Sequence, residues 1–184
     1  MTNPAQSSPS LLNRLCRAVF GSGSDPVETV RPLWHRVVEI ARETPWYATH
    51  GVADTLGGRF DAITMVLSAV LVRMEADDAL KTPSVLLTEL FVTDMDGQLR
   101  ESGVGDMVVG KHMGRLMSTL GGRLGAYRDG LAACDDTALT AAVLRNVSLN
   151  EGADPAALAL ALRQLARDLD ATGADALLAG SIAR

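Results

Sequence analysis

The sequence predicts an all-α fold: one compact domain of about six helices behind a flexible N-terminal tail. Three observations carry this. Apolar residues recur at i, i+3, i+4 and i+7 through most of the chain. Asp-Pro pairs at Asp25-Pro26 and Asp154-Pro155 supply the N-cap and first-turn proline of helix starts. No stretch shows the strict alternation of a half-buried strand. The 184 residues, 47% of them hydrophobic, suffice for one core without staples.

Residues 1–24 read as a flexible tail, in which Leu11–Phe20 forms a short amphipathic helix with Arg14 and Arg17 beside its apolar face. The folded domain then spans 25–184. Asp25, Pro26 and Glu28 make a capping-box pattern. A helix runs from Pro32 to about Glu43 and stops at Thr44-Pro45. A second spans about 59–76 after Gly57-Gly58, and a third runs from Thr82-Pro83 to about Glu101. Asp106 caps a long fourth helix ending near Leu131. Two more cover about 135–148 and 155–171, the last with Gly173 as its C-cap.

Charge and composition exclude several classes. A net charge of −5 is the wrong sign for a general nucleic-acid coat, so no DNA partner is expected. Cys16 and Cys134 are far apart and lack a CxxC spacing, which argues against a disulfide framework or a structural zinc. Cys134 reads as a small core residue. The longest apolar run, Ala62–Val72, is about half of what a bilayer crossing needs. The absence of a signal peptide suits a cytoplasmic protein. The acid-free, arginine-containing N-terminus leaves a mitochondrial matrix location as the alternative.

Two stretches imitate ligand motifs. Gly105–Lys111 fits G-x-x-x-x-G-K, but His112 stands where a Mg²⁺-binding hydroxyl is needed and a helix precedes it. Asp94-Met-Asp96-Gly97 has calcium-loop residues at the wrong offsets; Asp96 and Arg100 suit an i,i+4 helix pair instead. No cofactor or metal is expected, and no catalytic set stands out.

The 109–127 helix has three faces at about 100° per residue. Val109, Met113, Leu116, Leu120, Leu124 and Tyr127 form a core stripe. Lys111 and Arg115 lie opposite; these and Arg123 are the candidate exposed contacts for a partner protein, ribosome or anionic membrane surface. Gly110, Gly114, Gly121 and Gly125, with Ser118, make a third face. Each interior glycine costs about 1 kcal/mol against alanine, so the stripe asks for a backbone packed close to it. Either an internal helix or a client helix would satisfy that.

Several blocks resemble one family. Arg42-Glu-Thr-Pro45-Trp46-Tyr47, Gly51-Val-Ala-Asp54-Thr and Gly58-Arg59-Phe60-Asp61 resemble its first half. Asp94-Met-Asp96-Gly-Gln-Leu-Arg100-Glu-Ser-Gly103-Val-Gly105-Asp106-Met-Val-Val-Gly110-Lys111 resembles its most distinctive stretch. Gly122-Arg123-Leu124 and Ala126-Tyr127 follow. The chain is similar, over about residues 30–131, to the bacterial form of the ubiquinol–cytochrome c chaperone family. The resemblance implies a non-enzymatic assembly factor for the cytochrome bc1 complex. Its client would be newly made cytochrome b, and a small partner protein, the ribosome and a peripheral place at the inner membrane are implied too. Many relatives carry a histidine where this chain has Val66 and an aromatic near Gly121, departures that bear on client choice. The block residues suit structural roles: Gly103 and Gly105 for a sharp turn, Asp106 as a cap, and Arg59 and Asp61 tying their helix to the turn at Asp54. Trp46 and Tyr47 fit a helix junction in the core. An all-α enzyme or small-ligand binder, which would need a closed pocket with ionisable groups, is the competing reading. A general helical scaffold is a third.

Overall fold

Pro26–Thr29 form a 3₁₀ turn that leads into α1, Arg31–Ala41. The computed structural model describes residues 26–101 and 106–183, with side chains described at helix positions outside 99–113, 115 and 116. The tail and the Asp25 cap lie outside the described residues. Glu28 takes the Arg31 guanidinium at 2.6 and 2.8 Å. Pro32 sits within the first two positions of α1, where its missing N–H removes no helical bond. Leu33, Trp34, Val37 and Ile40 then bury one face.

Thr44-Pro45 stops α1 and at once starts α2, Thr44–Ala48, a helix the periodicity does not reveal. The short helix closes the end of α1 through its aromatics. Trp46, fully buried, donates Nε1–H to the Ile40 carbonyl at 2.7 Å, and Tyr47 donates its hydroxyl to the Ala41 carbonyl at 2.7 Å. Both carbonyls belong to the last turn of α1, where the i+4 helical donors run out, and that of Ile40 also accepts the Glu43 amide at 3.1 Å. The expected junction role of the two aromatics is thus seen directly.

Gly51, at φ +74°, turns the chain into the loop before α3. Val52 and Leu149 form an isolated antiparallel bridge, the β pairing among the described residues. It is flanked by Ala53 N–H to Ser148 O and Asn150 N–H to Gly51 O, both 2.8 Å.

Helix α3, Leu56–Glu75, is central and packs on α1, α5 and α7. The Thr55 hydroxyl caps it by accepting from Gly58 N–H at 3.1 Å. Gly57 and Gly58, expected to precede the helix, are in its first turn. Thr64 and Ser68 are buried without penalty because their hydroxyls donate to carbonyls of the preceding turn. A 3₁₀ turn at Asp78–Leu80 leads to α4, Lys81–Glu101. Then come α5, Asp106–Ala132, and α6, Thr137–Asn146. Helix α7, Pro155–Asp170, starts as expected, with Asp154 accepting from Ala156 N–H at 2.9 Å. Its C-cap is Ala171, and Gly173 instead begins α8, Ala174–Leu178. Arg73 of α3 donates to the Leu169 and Thr172 carbonyls, joining the end of α7 to the centre of the fold.

Candidate functional site

Two of the blocks that were far apart in sequence meet between α3 and α5. Asp61, 9% exposed at its side chain, takes Arg123 Nη2 on one carboxylate oxygen at 2.6 Å. Its other oxygen accepts from the Ser148 amide at 2.9 Å and the Ser148 hydroxyl at 2.7 Å. Arg123 also donates to the Thr64 hydroxyl, and its guanidinium lies 5.5 Å from the Phe60 ring centroid. Arg123 was expected to be an exposed contact; its side chain is 13% exposed, and both terminal nitrogens are bonded to α3. The reason is its place on α5: at about 100° per residue it falls beside the Leu120–Tyr127 stripe, and α3 offers a carboxylate there. Tyr127 is buried one turn on. Desolvation pushes its phenol well above the usual range, and its hydroxyl has no partner among the described residues.

Asp54 and Arg59 do form the expected tie at the start of α3, at 2.7 Å. The bond to Arg59 holds the Asp54 carboxyl below its ordinary value. Asp61 does not share in that tie; it serves Arg123 and the loop at Ser148 instead. Arg42, Thr44, Tyr47, Asp54 and Arg59 line an open polar pocket of about 290 Å³. Burial pushes the Tyr47 phenol upward.

The glycine face is open. A Cβ added at Gly114, Gly121 or Gly125 would meet nothing within 4 Å, and Gly114, Ser118 and Gly121 are exposed. No described helix packs on these three positions. Close approach occurs instead at Gly58, where a Cβ would lie 1.9 Å from Ala53 O, and at Gly130, 2.8 Å from Leu139 Cα. Val66, one of the two family departures, is fully buried in α3 and faces no partner, whereas Gly121 lies on the open face.

Beside the glycine face lies an apolar groove of about 330 Å³ between α3, α4 and α5. Leu71 and Leu124 line it together with Val85 and Met117, which are 57% and 40% exposed. Sequence reasoning missed it. Val85 lies off the buried face of α4, and Met117 lies beside the α5 core stripe; only the packing of α4 beside α5 brings them together. A third cleft, of about 260 Å³, is lined by Arg73, Arg128, Arg163 and Arg167. Most of these guanidinium bonds go to protein groups: Arg128 to Glu75, Arg163 to Asp136 and to carbonyls at the end of α5.

Asp94, Asp96 and Gly97 are inside α4, so no calcium loop exists there. Residues 106–111 are the start of α5, and the element before them is a helix rather than a strand. The Lys111 and Arg115 side chains, the Arg100 partner of Asp96, and Gly103 and Gly105 lie outside the described residues; Gly110 and Asp106 are placed only as α5 backbone. Cys134 is exposed rather than a core residue. Among the described residues no group of three His, Cys, Asp or Glu is arranged to hold a metal. None of their helices is long and apolar enough to cross a membrane.

The described residues define an all-helical domain with open clefts and an exposed apolar groove. Residues 48–184 match the family model described as ubiquinol-cytochrome C chaperone, and the chain belongs to that family. The match runs through the helices beyond residue 131, where the sequence blocks end, and starts after the Arg42–Tyr47 block. Among solved structures, the chain is similar to the crystal structure of the Cbp3 homolog from Brucella abortus. Identity is 31%, with 94% of this chain and 95% of that one covered, and the TM-score is 0.74. No significant match is found among curated proteins.

Proposed function

We propose that this chain is a non-enzymatic chaperone that binds newly made cytochrome b and supports assembly of the cytochrome bc1 complex. Family membership supports the assembly role. The observation that carries the binding site is the apolar groove at Leu71, Val85, Met117 and Leu124, continuous with an α5 face on which glycines leave the backbone uncovered. Large exposed apolar side chains beside small ones are what close helix packing needs. The clefts are open to the surface, which favours a protein partner over a small substrate. Lys111 and Arg115 are the proposed contacts for a small partner protein, the ribosome or the membrane surface, and the protein works in the cytoplasm at the inner membrane. Arg123 acts from within, by holding α5 to α3.

The test is deletion of the gene with measurement of cytochrome b and assembled bc1 complex. Both are expected to fall, and to be restored by the wild-type chain but not by Gly114→Leu with Gly121→Leu. Undiminished cytochrome b and bc1 complex in the deletion strain would overturn the proposal.

A further inference from the structure

The charged residues that line the groove are acidic. Two carboxylates, Glu75 and Glu89, line it, and among the described residues no cationic side chain does. Glu75 is already met by a bidentate Arg128, at 2.5 and 2.7 Å. Glu89 is exposed on α4, and its carboxylate has no hydrogen bond or ion pair among the described residues. The groove therefore offers an apolar floor and one uncompensated negative charge at its edge.

We infer that this groove selects apolar helical segments that end in lysine or arginine. The inference rests on the chaperone reading above and names the chemistry of the occupant. An apolar helix laid against Leu71, Val85, Met117 and Leu124 brings its end residues to the edge where Glu89 stands. A cation there gains a partner, whereas an acid meets like charge on a chain whose net charge is −5. Segments destined for a membrane carry this pattern, an apolar run with lysine or arginine at its cytoplasmic end. The Glu89 carboxylate thus favours a membrane segment over the apolar helices of acidic soluble proteins.

The test uses the full chain and two fluorescein-labelled Leu/Ala peptides of about four helical turns, one ending in Lys-Lys and the other in Glu-Glu, in mild detergent. Fluorescence anisotropy is read on the wild type, on Glu89→Lys and on Val85→Ser with Met117→Ser. An exposed ion pair predicts about a three- to fivefold preference for the Lys-ended peptide at low salt. The preference should fade at high salt and reverse in Glu89→Lys. Equal binding of both peptides, weakened in the Val85/Met117 variant, would leave the groove standing and overturn charge selection. Absence of binding, or binding untouched by the Val85/Met117 variant, would remove the groove itself and this inference with it.

Discussion

Gly130 and Gly121 lie on the same face-rich helix, yet a Cβ on Gly130 would sit 2.8 Å from Leu139 Cα while one on Gly121 would meet nothing within 4 Å. The C-terminal part of α5 is clasped. Arg123 reaches Asp61 and Thr64 on α3, Tyr127 is buried, and α6 packs over Gly130. The stretch around Gly114 to Gly121 borders the groove and is covered by nothing described. One helix thus anchors the fold with one end and presents a surface with the other. Glycine spacing does not tell these ends apart, because helix propensity is the same whether a neighbour is present or absent.

The comparison is broken most severely at the clasp. Arg123→Ala leaves the Asp61 carboxylate buried without its cation, which should destabilise the fold by about 3–5 kcal/mol; urea unfolding measures it. Unchanged stability would mean that α5 is not held by this pair. Gly58→Ala drives a methyl into the Ala53 carbonyl and should cost about 1–3 kcal/mol through overpacking. Gly121→Ala goes the other way. With open space over the residue, it should raise stability by about 0.5–1 kcal/mol, and a loss in thermal melts would show a neighbour on the face.

Smaller effects sharpen the contrast. Tyr127→Phe removes a buried hydroxyl that has no partner, so stability should stay within about 1 kcal/mol of wild type, on the stabilising side. The phenol is raised in the folded state. Its contribution is therefore full below the ordinary tyrosine value, about 10, and is lost as pH rises beyond it. Tyr127→Phe should flatten that alkaline decline. Lys111→Glu with Arg115→Glu should change stability by less than about 0.5 kcal/mol and weaken ribosome or vesicle co-sedimentation, most visibly at low salt. Unchanged co-sedimentation would remove the basic contact.

Much of the architecture was legible because it rests on local chemistry. Leu33, Val37 and Ile40 repeat at helical spacing, Asp154 stands before Pro155, and both features appear in the structure as read. The misreadings also have local causes. Pro45 ends one helix and begins another, and Gly173 begins α8 rather than capping α7, since proline and glycine suit either side of a junction. The candidate site was less legible. Arg123 reads as a solvated cation until α3 places Asp61 against it, and Val85 and Met117 look like stray apolar residues on separate helices.

The sequence by itself determined the long helices, the family blocks, the net negative charge and the Trp46–Tyr47 junction, because each is set by residue identities and by neighbours a few residues away. Only the tertiary structure decided which glycines are packed, which arginine is buried and where the groove opens. Those properties depend on contacts between separate elements, some of them far apart in the chain: Asp61 meets Arg123 62 positions away and Ser148 87 positions away. Burial and charge compensation are set by what lies across a helix interface, and periodicity along one helix carries no record of its neighbour.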